Sequence, residues 1–172
     1  MDYGIDYFYN MLRMYSPTAK QICEARWEFV DEAHAITVLD YGSGCGFFKA
    51  FVPYSTCLVD TIDVMNVPQT GITRKKYDLI TFWDVLEHIP DLWNLRPIFD
   101  MTSFVAITVP IKPEKLPWNK YKHYKPGEHL HHFQKDDLCA LLDVFGFKLV
   151  KHGYPECPPR SMIGSFLFRR RA

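Results

Sequence analysis

The stretch VLDYGSGCGFF, Val38 to Phe48, decides the fold. An apolar run ends in an acid, Asp40, and three glycines follow at alternate positions, Gly42, Gly44 and Gly46. This order predicts a strand, a sharp turn and then a helix in CGFFKAFV (45–52). Gly42 permits the positive φ that the turn needs, and Gly44 has no Cβ to hold a ligand off the backbone. In an open α/β sheet, a loop at the carboxyl end of a strand is where ligands bind, at the switch in strand order.

Spacing narrows the ligand. A dinucleotide fingerprint GxGxxG starting at Gly42 needs glycine or alanine at position 47, and Phe47 stands there, too bulky for close packing of helix on strand. The phosphate loop GxxxxGK[ST] is absent, because no Gly-Lys pair occurs in the chain. A nicotinamide dinucleotide, with the oxidoreductase it would imply, and a nucleotide polyphosphate are both disfavoured.

Outward from this loop, strand-like and helix-like segments alternate. ITVLDY (36–41), TCLVDTID (56–63), YDLITFW (77–83), TSFVAITV (102–109), FKLVKHG (147–153) and SMIGSFLF (161–168) are short runs rich in β-branched and aromatic residues. Several are apolar throughout, as suits strands covered on both faces. Between them lie the segment 45–52, the stretch from Asp91 to Asp100, and FQKDDLCALLDVF, which closes on Gly146 as a helix does at its C′ position. The alternation predicts an α/β, doubly wound, mostly parallel sheet. GYPECPPR is too short for a crossover helix, so the last strand is expected to enter antiparallel. Ahead of the sheet, Ser16 and Pro17 read as the N-cap and first position of a helix reaching about Glu32. Tyr3, Tyr7 and Met11 recur at four-residue spacing before it. Residues 1–35 are thus a helical arm or lid, and 36–172 the sheet core, of a single domain spanning 1–172.

A chain of 172 residues with 48% hydrophobic and 16% aromatic content can build a packed core. Lys plus Arg and Asp plus Glu are both 20, so the whole chain advertises no polyanionic partner. No apolar run approaches the roughly 18 residues of a membrane span, and the N-terminus has no basic n-region, which predicts a cytoplasmic protein without a membrane partner. Five cysteines at 23, 45, 57, 139 and 157 include no CxxC pair, which favours reduced thiols over a disulfide frame or zinc cluster.

The glycine segment resembles the first motif of class I S-adenosylmethionine-dependent methyltransferases, whose acid-x-Gly-x-Gly-x-Gly pattern is matched by Asp40, Gly42, Gly44 and Gly46. YDLITFWDVLEHIPD (77–91) resembles that family's fourth strand and following loop, TSFVAITVP its fifth strand, and GEHLHHFQKDDLCALLDVFGFKLV (127–150) its late helix and sixth strand. Most similar is the branch of small-molecule O-methyltransferases typified by ubiquinone-biosynthesis enzymes. The resemblance implies a Rossmann-like methyltransferase sheet and S-adenosyl-L-methionine as cofactor. That molecule carries a carboxylate, an ammonium, a ribose diol, an adenine and a sulfonium, with no phosphate. By the resemblance, Tyr41, Gly42, Ser43, Gly44 and Gly46 cradle it, and Asp40 and the strand end at Trp83 face its ammonium. The acid that ends the second strand takes the diol. Counting along from Asp40 gives Asp63 for this role, with Asp60 as the alternative. A full member of the family fits a helix and a third strand after that acid. Residues 64–77 leave little room for them here, so the third-strand edge is expected to be trimmed and the adenine to lie against Val64 or Met65.

Methyl transfer from a sulfonium is an in-line displacement, and a base is needed only where the acceptor must lose a proton. For a hydroxyl acceptor histidine is the natural choice. His88, His129, His131 and His132 are the candidates. Glu128 beside the last three offers a carboxylate with imidazoles, but HxHH is not a zinc spacing, and no metal is expected. The segment PIKPEKLPWNKYKHYKPGEHLHHF (110–133) holds five lysines against two glutamates, interleaved with Trp118, Tyr121 and Tyr124. Such a mixture can grip nucleic acid. The Asp-Pro-Pro-Tyr type motif of amino-methylating DNA enzymes is missing after YDLITFW, however, and no Pro-Cys nucleophile exists. The segment is therefore read as a loop bordering the pocket of a small-molecule or sugar acceptor. The rival reading is a non-catalytic S-adenosylmethionine-binding scaffold or sensor.

Overall fold

Strands β1 (Thr37–Tyr41), β2 (Leu58–Ile62), β3 (Tyr77–Trp83), β4 (Thr102–Pro110), β5 (Phe147–Gly153) and β6 (Ile163–Arg170) form one sheet in the order β2-β1-β3-β4-β6-β5. The computed structural model describes residues 5–52, 57–64 and 70–172. β1 pairs in parallel with β2 on one side and β3 on the other, and β3 with β4. β6 runs antiparallel to both β4 and β5, as the short 154–162 connection requires. Strand order reverses at β1 and β3, so the loop leaving β1 opens at the switch point.

Successive residues of the central strands feed two cores. Leu39, Ile80, Val105, Ile107, Phe166 and Phe168 pack on one face, with Leu138 and Leu142 of α4 (Lys135–Val144). Val38, Leu79, Ala106 and Leu167 pack on the other, with Phe29 of α1 (Ile5–Phe29) and Phe48 of α2 (Phe47–Phe51). The period-2 alternation of a strand thus puts apolar residues against helices on both sides, which is why β3, β4 and β6 read as unbroken apolar runs.

Three sequence expectations are corrected. Ser16 and Pro17 do not open a helix, because α1 continues through Pro17. A proline inside a helix forfeits a hydrogen bond at a cost of about 3 kcal/mol. The face carrying Ala19, Ile22, Cys23 and Phe29 is buried beyond it and offsets that cost. The stretch from Asp91 to Asp100 is a 3₁₀ turn (Leu92–Leu95) followed by the short α3 (Arg96–Phe99), with Pro97 where an amide donor would be needed. The second strand is also shorter than expected; it ends at Ile62, and Thr56 and Met65 lie outside the described residues, as do Tyr3 and the side chains of Tyr7 and Met11.

The trimmed edge is present: β2 is the outer strand. Its free side is met by the returning chain, where the Thr61 amide donates to Thr70 Oγ1 at 2.7 Å and the Gly71 amide to the Thr61 carbonyl at 2.9 Å. These bonds satisfy an edge that would otherwise template another strand. Among the described residues, no helix is long and apolar enough to cross a membrane.

Candidate functional site

The loop after β1 is built by backbone geometry. Gly42 has φ 78° and Gly46 φ 73°, in the left-handed region. At Gly42 space is also closed, since a Cβ would lie 2.4 Å from Val85 Cγ2. The Gly42 and Ser43 amides donate to the Ile62 carbonyl at 2.8 and 3.2 Å, and the Gly44 amide donates to Asp63 Oδ2 at 2.7 Å. The loop is thereby fixed against the carboxyl end of β2.

A cavity of about 1010 Å³ opens beside it. Asp40, Tyr41, Gly42, Ser43, Gly44, Asp63, Val64 and Trp83 all line it, whereas Gly46 lies behind as the residue preceding α2. Asp40 is buried; Thr81 Oγ1 donates to its Oδ1 at 2.8 Å, and its Oδ2 has no partner. Burial raises its carboxyl to about 6, against the lowering pull of Thr81 and Arg26. Trp83 forms a wall with Phe48, ring centroids 5.1 Å apart. Val64 stands at the exposed rim.

Asp60 points the other way. Its Oδ2 accepts from Tyr77 Oη at 2.7 Å, Arg74 at 2.8 Å and Thr73 Oγ1, so it fastens the returning chain to β2 and is absent from the cavity. Burial would raise its carboxyl, but the Thr73 and Tyr77 hydrogen bonds and the Arg74 charge hold it below the ordinary range.

Beside Trp83 the wall of the cavity is charged, and Arg26 lies over the Trp83 ring, 5.0 Å from its centroid. Asp84, in the left-handed region at φ 60°, follows β3 and meets two arginines. Arg26 donates to Asp84 Oδ2 at 2.8 Å and to Glu156 Oε1 at 2.7 Å, while Arg160 donates to both oxygens of Asp84, at 2.7 and 3.0 Å, and to Glu156 Oε2 at 2.6 Å. The network ties α1, the end of β3 and the 154–161 loop into one wall. The next turn, Leu86–His88, presents Glu87 and His88 to the cavity, and His129 lies against them. The His88 and His129 rings are 5.0 Å apart in an edge-on arrangement. His88 Nδ1 lies 3.0 Å from the Glu128 carbonyl and His129 Nδ1 2.9 Å from the His123 carbonyl. A carbonyl can only accept, so in each neutral ring Nδ1 carries the hydrogen and Nε2 the lone pair. Burial and the Asp84 charge raise the Glu87 carboxyl.

His131 and His132 lie outside the cavity. His131 Nε2 is 2.8 Å from the Ile89 carbonyl, and His132 packs among Trp118 and Tyr124. Lys122, His123 and Lys125 of the 110–133 segment do line it. Sequence reading passed over Arg26, Asp84, Glu87, Glu156 and Arg160. A signal existed for Asp84, an acid at the carboxyl end of a strand just as Asp40 is. None existed for Arg26 and Glu156, which pair across 130 positions.

A family model described as a methyltransferase domain matches residues 15–152. The chain belongs to this methyltransferase domain family. It is a methyltransferase that uses S-adenosylmethionine as methyl donor. Among solved structures, it is similar to magnesium protoporphyrin IX methyltransferase from Synechocystis PCC 6803 with bound SAH, at 16% identity and TM-score 0.71 over 98% of this chain and 96% of that one. The Burkholderia thailandensis 1,6-didemethyltoxoflavin-N1-methyltransferase gives 17% identity and TM-score 0.69 over 93% and 82%. Human N-acetylserotonin methyltransferase in complex with SAM gives 14% and 0.70 over 96% and 55%. At such identities these likenesses speak for the fold. No curated protein sequence matches the chain. The methyltransferase fold accounts for the glycine loop at the carboxyl end of β1.

Proposed function

We propose that this methyltransferase modifies a hydroxyl group of a small molecule, a sugar being the leading class, and that the whole of 1–172 acts as one domain. One observation carries the reading: a single cavity is lined both by carboxylates suited to the donor and by two imidazoles whose Nδ1 atoms face backbone carbonyls, which leaves Nε2 of each neutral ring as an acceptor.

The donor's groups fit the residues present. Asp40 Oδ2, buried without a partner, suits the ammonium, and Asp63 suits the ribose diol. Tyr41 to Gly44 supply loop backbone, and Val64 borders the adenine. When bound, S-adenosylmethionine would supply an electrophilic methyl group for an acceptor oxygen, its sulfur keeping the electron pair of the C–S bond. The protein's part is alignment and exclusion of water by Trp83, Phe47 and Phe48. The hydroxyl proton leaves toward the corner formed by Glu87, His88 and His129, the first two of which lie in one turn. His131 and His132 have no part in this step.

Because burial raises Asp40 to about 6, its negative charge disappears as pH falls through that value. Donor affinity is expected to drop roughly tenfold between pH 7 and pH 5, the ratio of ionised fractions for such a group. Its effect on folding has the opposite sign. The folded chain binds this proton more tightly than the unfolded one, so Asp40 favours folding below about pH 4 and loses that contribution as pH rises to 6. Calorimetry with S-adenosylhomocysteine at both pH values checks this, and Asp40→Asn should flatten the profile.

Lys122→Ala with Lys125→Ala is expected to raise the acceptor KM severalfold while leaving donor affinity unchanged, since both residues reach the cavity from the 110–133 segment and not from the glycine loop. Binding to heparin or DNA with a steep salt slope, lost in this variant, would instead mark a nucleic-acid acceptor. The reading as a whole is tested by incubating the enzyme with methyl-labelled donor and a metabolite extract. Label should appear on a hydroxyl of a small product. Donor binding without turnover would leave a scaffold.

A further inference from the structure

We propose that Glu87, His88 and His129 form a site for one divalent transition-metal ion, with zinc as the type, at the acceptor end of the cavity. Metal binding stands apart from the methyl-transfer reading, and only its catalytic consequence rests on that reading.

The three side chains bring one carboxylate oxygen and two imidazole nitrogens within 4.8 Å of one another. Ligands around a tetrahedral ion stand about 3.3 Å apart at metal–ligand distances near 2.0–2.1 Å, a gap that small side-chain rotations close. Two histidines and a glutamate with a fourth position open form a recognised catalytic donor set for zinc. Glu128 also lines the cavity, pairing with Lys125 at 3.1 Å and standing 3.9 Å from His129 Nε2. Glu87 is the buried carboxylate of the group.

Three independent features prepare these atoms for a cation. Glu87 is 1% exposed and its Oε2 has no hydrogen-bond partner, a costly state for a buried carboxyl without a ligand. Both histidines give Nδ1 to backbone carbonyls, which fixes the tautomer whose Nε2 can coordinate, the usual outer support of metal-bound imidazole. The two segments are also locked together, because the Leu130 and His131 amides donate to the Glu87 carbonyl at 2.7 and 3.1 Å. The two segments are thus held by backbone hydrogen bonds although His129 stands about 40 positions along the chain from Glu87 and His88. With the ion bound, the Nε2 lone pairs serve as ligands and no longer as proton acceptors; a hydroxyl at the open position would ionise on the ion, which stabilises the oxyanion, and its proton would pass to water in the cavity.

The test is titration of Zn²⁺ into the chelator-stripped, full-length chain by calorimetry, followed by Co²⁺ substitution. One ion per chain is expected, weakened at least tenfold in Glu87→Gln and in His129→Asn. The Co²⁺ protein should show the visible bands of a nitrogen- and oxygen-ligated tetrahedral ion. Absence of binding, binding equal in both variants, or intense thiolate-to-cobalt absorption, which would put the ion on a cysteine, each overturns the site. The spectrum needs only the unaltered chain, so it decides even if a variant fails to fold. Titration with S-adenosylhomocysteine reads the donor half separately, and its failure would sink the methyl-transfer reading while the zinc isotherm stands.

Discussion

Asp63→Ala is expected to weaken S-adenosylmethionine binding about a hundredfold with little loss of stability, and Asp60→Ala to do the reverse. The two acids lie on one short segment and look interchangeable in sequence. Asp63 lies just beyond β2 at the cavity, where a bidentate acceptor for the ribose diol makes two hydrogen bonds to a charged group. Each is worth about 1.5–3 kcal/mol, and 1.4 kcal/mol is a decade of affinity. The Gly44 amide also loses its acceptor, at 2.7 Å, which loosens the loop and adds to the loss. Asp60, by contrast, is buried and serves Tyr77, Arg74 and Thr73. Its removal leaves the buried Tyr77 hydroxyl without an acceptor and costs roughly 3 kcal/mol of folding free energy. Urea denaturation and calorimetry on both variants separate the effects. Asp60 stands in the middle of β2, whereas Asp63 lies beyond its end.

The second large effect concerns the charged wall of the cavity. Arg26→Ala is expected to cost about 3–5 kcal/mol of stability, the usual loss when one partner is removed from a buried ion network. Glu156, whose side chain is fully buried, would then share Arg160 with Asp84. The same network sets an acid limit. Burial would raise the Asp84 carboxyl, but Arg160 and Arg26 hold it at about 2. A depressed carboxyl stabilises the fold above its unfolded value near 4, and that stability is lost as pH falls toward 2. Urea midpoints of the unaltered chain should therefore fall between pH 4 and pH 2, and those of Arg26→Ala should fall less.

What could be read from sequence followed from local rules. The glycine loop was legible because Gly42 meets both a positive φ and a closed space beside Val85. The inner strands were legible because a run covered on both faces has no polar alternation. Counting left Asp63 and Asp60 both open, and only the tertiary contacts separate them, since Asp63 meets the Gly44 amide and lines the cavity while Asp60 meets Tyr77 and Arg74. Pro17 misled because a Ser-Pro pair signals a helix start locally, while the buried face that holds α1 together lies further along. The charged end of the site was invisible for a different reason. Glu87 and His129 meet only because the 128–132 loop docks on a turn some 40 positions earlier. Nothing in HLHH distinguishes His129, which faces the cavity, from His131 and His132, which do not.

The central claim is that the glycine-loop cavity is built for the methyl donor. Calorimetric titration of the purified chain with S-adenosylhomocysteine tests it most directly. The account predicts one site of micromolar affinity, on the order of 8 kcal/mol, abolished or strongly weakened in Asp63→Ala, with no heat from NAD or ATP. Saturable binding of NAD with no response to S-adenosylhomocysteine would contradict it.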